Sequence, residues 1–96
     1  MNNHFGNGIQ AGLQAQQPIS PHEISQYCPD YRRGYVCGYA WQLAESRNDR
    51  QQAAFEAGIL SRRYGLDRDR VAEFFTEYGN PHTVHFFYAG YDSADD

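Results

Sequence analysis

A short pattern that occurs four times in the chain constrains how the chain can fold. Each copy consists of an aromatic residue, two further residues and a glycine, and the copies occupy residues 5–8, 31–34, 55–58 and 87–90. On a helix, the ring and the glycine lie on the same face, one turn apart. The glycine leaves a notch through which a neighbouring helix can approach closely and insert a ring of its own. Because the copies are irregularly spaced, the pattern predicts packed helices rather than a solenoid.

The core of such a domain is predicted to consist largely of rings. The 96 residues include eight Tyr, six Phe and one Trp, while Leu, Ile and Val are scarce. A chain of this size can still bury about 65% of its surface in one core. We therefore expect an all-α protein, a single small domain of four to five short helices with an aromatic-rich core. The predicted domain covers residues 1–91, and residues 92–96 are predicted to form a frayed acidic tail.

Helix boundaries are marked by capping residues and turns. Residues 20–23 carry a Ser, a Pro and a Glu at the spacing typical of a helix start. Asp49 and Asp67 are predicted to cap two further helices, and Gly65 fits the left-handed stop between those helices. Residues 82–91 combine β-branched and aromatic residues that would also suit a strand, but the spacing of their apolar residues favours a helix.

Three segments carry apolar residues at helical spacing, which predicts that these residues face the core. They are Tyr35, Val36, Tyr39, Ala40 and Leu43 in the first segment, Ala53, Ala54, Ala57, Leu60 and Tyr64 in the second, and Val71, Phe74, Phe75 and Tyr78 in the third.

The charge balance disfavours two classes of partner. All eight basic residues are Arg, twelve residues are acidic, and the formal net charge is −4. Nucleic-acid binding rests on clustered positive charge, and helices that bind membrane surfaces also use basic residues. We therefore expect neither a broad nucleic-acid interface nor a membrane interaction. With no apolar run of about 18 residues and no apolar region near the N-terminus, the chain is predicted to be cytoplasmic.

The chain carries no arrangement of residues that is typical of an enzyme or a metal site. His82 and His85 could share a helix face, but Cys28 and Cys37 are spaced more widely than the cysteines of short zinc motifs. The glycines of residues 6–8 lack the strand and the Lys that accompany a phosphate-binding loop. We therefore expect a non-enzymatic protein without metal or cofactor, whose cysteines are reduced thiols packed as small apolar groups. A disulfide between them is conceivable only in an oxidising compartment.

A partner surface is predicted on one flank of the helix that begins near Pro29. Tyr31, Gly34, Gly38 and Trp41 lie on that flank, away from the apolar face of the same helix. As an exposed notch they would suit a partner, because Tyr and Trp often anchor protein interfaces. The alternative is that these glycines and rings pack within the core, as helical stripes generally do. The function hypothesis is a protein–protein interaction module that binds an unknown protein partner or a second copy of itself.

A helical hairpin over residues 60–75 supports a competing hypothesis. Apolar residues flank its Gly turn, as in a helix-turn-helix unit whose second helix enters the major groove of DNA. Asp69 and Glu73 on the second helix would repel phosphate, which weighs against this hypothesis. The alternative function is nucleic-acid or ribosome association through the basic residues of the hairpin: Arg62, Arg63, Arg68 and Arg70.

The chain also resembles a known family over nearly its whole length. Six segments resemble the YghW-like proteins, a family of short proteins of enteric bacteria: residues 1–6, 30–34, 49–51, 56–60, 62–67 and 86–91. This resemblance implies a bacterial cytoplasmic protein and brings no known activity, substrate, cofactor or site. A second set, residues 8–12, 28–31 and 34–35, is similar to the glycine-aromatic signature of ribosome modulation factor, which implies a shared helical element. That family is strongly basic and binds ribosomes, whereas this chain lacks the basic character.

Overall fold

A computed structural model describes residues 3–77 and 81–94. These residues contain six α-helices and one short 3-10 helix, and no strand. The helices are α1 (His4–Gln14), α2 (Pro21–Ile24), α3 (Pro29–Arg47), α4 (Arg50–Arg63), α5 (Arg68–Glu77) and α6 (Val84–Ser93), with the 3-10 helix Pro81–Thr83 before α6. The all-α prediction is confirmed. The number of helices exceeds the predicted four to five, and the shortest of the six is the four-residue α2.

The helices begin and end at the positions that the capping residues in the sequence predict. Ser20, Asp49 and Asp67 each accept a backbone N–H with the side-chain oxygen, at distances of 3.2, 3.0 and 2.9 Å, at the starts of α2, α4 and α5. Between α4 and α5, Gly65 has φ of 70°, in the left-handed region that glycine adopts without strain. Asn48 has φ of 52° and separates α3 from α4 in the same way.

Helices α1 and α3 touch backbone to backbone through two copies of the aromatic–glycine pattern. A Cβ atom on Gly8 would overlap the carbonyl oxygen of Tyr31, and a Cβ atom on Gly34 would overlap the carbonyl oxygen of Phe5. Each glycine therefore makes room for the aromatic residue that begins the other copy. The predicted close approach of helices at these glycines is confirmed, with one correction: the notch receives the partner's backbone and not its ring.

The same reciprocal contact repeats one turn further along both helices. A Cβ atom on Gly12 would overlap the carbonyl oxygen of Tyr35, and a Cβ atom on Gly38 would overlap that of Ile9. From the first contact to the second, the contacting positions advance by one turn in the same direction on both helices. It follows that α1 and α3 run parallel, with α2 and its flanking loops connecting them.

Helices α4 and α6 meet through the other two copies of the pattern. A Cβ atom on Gly58 would overlap the carbonyl oxygen of Phe87, and a Cβ atom on Gly90 would overlap that of Phe55. This contact occurs once along α4 and α6. All four copies are therefore used in pairs within the chain, and α3 packs against α4 to join the two pairs.

The core lies where these two pairs of helices meet. The predicted apolar faces of α3 and α4 are fully buried, and in α5 Val71 and Phe75 are buried while Phe74 is half-buried. Rings are prominent in this core, which supports the predicted aromatic-rich core. The buried rings are Tyr35, Tyr39, Tyr64, Phe75 and Phe87. Alanines on α3, α4 and α5 complete it, because their small side chains let helices approach.

The C-terminal part of the chain departs from the predicted boundaries. Helix α6 confirms the helix predicted over residues 82–91, but it continues to Ser93, two residues into the predicted frayed tail. Ala94 beyond it is buried, so the tail prediction is wrong for residues 92–94. The remaining tail, residues 95–96, and the predicted end of α5 at residues 78–79 lie outside the described residues.

Candidate functional site

The predicted partner flank of α3 does not form one exposed surface. Gly34 and Gly38 are buried beneath α1, which occupies the space that the missing side chains leave. The prediction of an exposed notch is therefore wrong for these two glycines. The two rings of the flank remain at the surface: Tyr31 is half-buried and Trp41 is 53% exposed.

Tyr31 and Trp41 also belong to different surroundings. The ring of Tyr31 stacks on that of Tyr27, with the ring centroids 4.2 Å apart. Burial, followed by the neighbouring Tyr27, raises the pKa of the Tyr31 phenol. Trp41, two turns or more further along α3, borders a cleft to which Tyr31 does not contribute.

This cleft, named here the Trp41 cleft, lies between α3, α4, α5 and the 3-10 helix, from which Thr83 lines it, and has a volume of about 390 Å³. Apolar residues form most of its lining: Ala40, Ala44, Ala53, Ala54, Phe74 and Phe75. The alanines of α3 and α4 leave room for the cleft because their side chains end at Cβ. Glu45 and Arg50, both exposed, are its two charged residues.

A second hollow of about 330 Å³ lies beside the Trp41 cleft and shares Cys37 and Phe74 with it. Phe5 of α1 lines the second hollow, and its ring centroid lies 6.4 Å from that of Phe74. Charged residues of both signs form much of the rest: Asp30, Arg33, Arg70, Glu73 and Glu77. The groove between α3 and α5 thus changes from apolar at Trp41 to strongly polar at Phe5.

The two cysteines lie in different surroundings. Cys37 is 1% exposed, and burial raises the pKa of its thiol far above the usual value, so it stays protonated at neutral pH. Cys28 is exposed at the start of α3, so the prediction of a thiol packed among apolar groups fits Cys37 but not Cys28. Both are free thiols in this structure. Over residues 3–77 and 81–94, no three His, Cys, Asp or Glu side chains are grouped so that they could hold a metal ion.

The four arginines of the competing hypothesis do not form one basic surface. Arg62 and Arg68 lie against the rings of α6: the guanidinium carbon of Arg68 is 4.5 Å from the ring centroid of Tyr88, and that of Arg62 is 5.5 Å from the Tyr91 centroid. Arg68 also pairs with Asp92 at 3.3 Å. The structure therefore brings Arg62 and Arg68 together at α6, while Arg63 and Arg70 are exposed elsewhere.

Comparison with known proteins assigns the chain to a family. A family profile described as "Protein of unknown function (DUF2623)" matches residues 1–93. The chain belongs to this family. No solved structure matches it. The finer resemblances to the YghW-like proteins and to ribosome modulation factor stay predictions.

The described helices of this DUF2623 protein include none that is both long enough and apolar enough to cross a membrane. Its Trp41 cleft also contains residues that sequence reasoning did not identify as functional, chiefly Glu45, Arg50 and Phe74. A partial signal was present, because Trp41 and Glu45 lie one turn apart on α3. The pairing of this turn with Arg50 and Phe74 depends on tertiary packing and has no local signal.

Proposed function

We propose that this protein is a non-enzymatic protein–protein interaction module and that the Trp41 cleft is its binding surface. The observation that carries the proposal is the position of Trp41, which is 53% exposed at an apolar cleft. A large ring with one face in solvent gains free energy when a partner covers it, and Trp is enriched among the residues that dominate binding energy.

The distribution of polarity in the cleft supports a protein partner. The two charged lining residues, Glu45 and Arg50, are exposed, while the lining alanines and Phe75 are apolar. An apolar centre with a polar, solvent-accessible rim is the usual anatomy of a protein interface. Small-molecule sites instead place a few polar groups so that they converge on the ligand.

Quantitative capture from a lysate of the native host tests this proposal. Immobilised wild-type protein is compared with Trp41→Ala and with the matched control Tyr27→Ala, because Tyr27 is also an exposed ring but lies outside the cleft. We expect Trp41→Ala to weaken retention of the captured partner about 30-fold, as loss of about 2 kcal/mol predicts. Tyr27→Ala is expected to retain the partner.

Two further measurements make the result specific. Trp41 is the single Trp of the chain, so the purified partner should shift the Trp emission of the wild-type protein to shorter wavelength as it covers the ring. Circular dichroism checks that both variants are folded. Equal retention by wild-type protein and Trp41→Ala, or an unchanged emission spectrum in the complex, would contradict the proposal.

Nucleic-acid or ribosome association stays as the alternative. Exposed Arg63 and Arg70 are compatible with it, whereas Arg62 and Arg68 are engaged with Tyr side chains and Asp92. Retention on RNA or DNA at about 50 mM salt that collapses by about 200 mM would favour the alternative, because phosphate contacts release counterions. A contact centred on Trp41 should respond weakly to salt.

A further inference from the structure

We propose that the partner in the Trp41 cleft is a second copy of this chain, bound in a twofold-symmetric dimer. The inference rests on the proposed function and names its partner. In such a dimer the same surface is used by both copies, so a residue on one side of the twofold axis meets the partner's residue from the other side of the axis.

The charges of the cleft are self-complementary. Glu45 at the C-terminal part of α3 and Arg50 at the start of α4 both line the cleft and are exposed. Within the part of the chain that the structure describes, neither forms an ion pair. A twofold axis that passes between Glu45 and Arg50 would place Glu45 of each copy opposite Arg50 of the other and create two equivalent ion pairs.

The rim of the cleft carries one negative and one positive residue, which favours a second copy over a partner surface whose charges all have the same sign. An acidic partner surface would place a carboxylate against Glu45, and a basic surface would place a cation against Arg50, and like charges brought together at an interface are unfavourable. A second copy presents one acidic residue to pair with Arg50 and one basic residue to pair with Glu45. The rim thus matches itself without an unpaired charge.

The apolar part of the cleft is also matched by a second copy. Each copy offers an exposed ring, Trp41, and a hollow of about 390 Å³ lined by Phe74 and alanines. Reciprocal insertion of the two Trp rings would remove both from water.

Charge reversal with complementation tests the dimer. Sedimentation equilibrium and light scattering are used to measure the dimer dissociation constant of the full chain, of Glu45→Arg, of Arg50→Glu and of an equimolar mixture of these two variants. Each variant alone would bring like charges together twice and is expected to weaken dimerisation at least tenfold. In the mixture, one Glu45→Arg chain and one Arg50→Glu chain restore both opposite-charge pairs, so we expect a heterodimer close to wild-type affinity.

Matched controls separate charge from folding. Arg63→Glu also reverses an exposed arginine of α4, but outside the cleft, and is expected to leave the dissociation constant unchanged. Trp41→Ala is expected to give a monomer. Thermal unfolding of each variant checks that a loss of dimer does not come from a loss of fold.

The outcomes separate this inference from the proposed function. Wild-type protein that is monomeric up to about 500 µM, which limits the dimerisation free energy to a few kcal/mol, overturns the dimer. Failure of the mixture to recover overturns the paired geometry. If the wild-type chain is monomeric but captures a different protein in a Trp41-dependent manner, the dimer fails while the interaction module stands. If Trp41→Ala changes neither dimerisation nor capture, both proposals fail.

Discussion

Helices α1 and α6 each cross another helix through glycines, but they bury different side chains. The fully buried residues of α1 are Gly8 and Gly12 alone. Because glycine has no side chain, α1 contributes no fully buried side chain to the core. Helix α6 buries Gly90 and also Phe87, which is 0% exposed. Close approach of two helices and burial of apolar side chains are therefore separate contributions: α6 makes both, whereas α1 makes only the first.

The two crossings are built on the same contact. A Cβ atom on Gly38 would lie nearest the carbonyl oxygen, carbonyl carbon and Cα atom of Ile9, and a Cβ atom on Gly90 would lie nearest the same three atoms of Phe55. A Cβ atom on Gly34, in the first contact, would instead lie near the backbone nitrogen of Ile9. The α4–α6 crossing thus corresponds to the second contact between α1 and α3. One turn before Gly90, in the place that Gly34 takes in α3, α6 carries the half-buried Phe86, whose side chain leaves no room for a second backbone contact.

The largest expected effect comes from Gly90→Ala, which breaks the crossing that also holds the core. A Cβ atom at this position would overlap the backbone of Phe55, and backbone atoms cannot move aside as a side chain can. We expect the free energy of unfolding to fall by about 3 kcal/mol, the upper part of the range for overpacking. This corresponds to a melting temperature at least about 10 °C lower.

Helix propensity alone predicts the opposite sign for Gly90→Ala, because Ala stabilises a helix interior by about 1 kcal/mol relative to Gly. Thermal and urea unfolding therefore decide between crowding at the crossing and intrinsic propensity. A variant more stable than the wild-type protein would show that α4 and α6 are not in backbone contact.

A smaller and more local effect is expected for Gly12→Ala. The added Cβ atom would overlap the backbone of Tyr35 and displace α1, but α1 carries no fully buried side chain with it. We expect a loss of about 1–2 kcal/mol, with amide hydrogen exchange protection lost in α1 and retained in α4 and α6. A loss of stability as large as that of Gly90→Ala, with exchange accelerated in α4 and α6, would show that the two crossings are equally tied to the core.

Much of this comparison could be predicted from the sequence. The glycines at positions 8, 34, 58 and 90 are recognisable as close-approach sites, because a ring one turn earlier on the same face is a local pattern. Local capping signals also mark the helix starts at Ser20, Asp49 and Asp67. These features depend on residues within one or two turns of each other.

The pairing of the copies could not be predicted in this way. Nothing near Gly34 or Gly38 indicates that α1 covers them, so a flank of α3 that looks exposed on a helical projection is closed by a helix more than twenty residues away. The Trp41 cleft escaped prediction for a related reason. Ala40 and Ala53 have the pattern of core residues, and only the packing of α3 against α4 shows that they leave an open space between Trp41 and Phe74.

An effect of intermediate size is expected from removing a hydrogen bond to the segment that follows α1. The hydroxyl of Tyr64 donates a hydrogen bond to the carbonyl oxygen of Ile19 at 2.7 Å, and the N–H of Ile19 donates to the hydroxyl of Tyr35 at 3.2 Å. We expect Tyr64→Phe to lower the free energy of unfolding by about 1 kcal/mol at pH 7, the usual value of one hydrogen bond. Urea unfolding measures the loss, and an unchanged free energy would show that this hydrogen bond adds nothing to stability.

The same pair gives a pH dependence with a defined sign. Burial raises the pKa of the Tyr64 phenol strongly, and the neighbouring Tyr35 adds to the shift; burial also raises the pKa of Tyr35. Because the unfolded chain releases these protons near pH 10 and the folded chain keeps them, the stabilisation is complete below about pH 10 and is lost as the pH rises above it. Tyr64→Phe is expected to show a shallower decline above pH 10. A decline as steep as that of the wild-type protein would exclude Tyr64 as a source of it.

The smallest effect is expected for Gln42→Ala, which removes a side-chain contact between α3 and the end of α1. The Gln42 amide nitrogen donates to the carbonyl oxygen of Gly12 at 3.3 Å and to that of Ala15. The Gly12 carbonyl also accepts the N–H of Ala15 at 3.3 Å, so Gln42 adds to the cap that closes the last turn of α1. We expect a loss of about 0.5 kcal/mol and faster amide exchange confined to the C-terminal turn of α1. The exposed Gln14→Ala serves as the matched control.

Gln42→Ala and Gly12→Ala are expected to differ in how much of α1 they release from α3. If α1 is held mainly by its two backbone contacts with α3, loss of Gln42 frays the last turn while the contact at Gly8 stays closed. If Gln42→Ala instead releases the whole of α1, the glycine contacts are too weak to hold this helix alone. The difference in stability between the two crossings would then come from the Gln42 side chain at the end of α1 rather than from burial of Phe87.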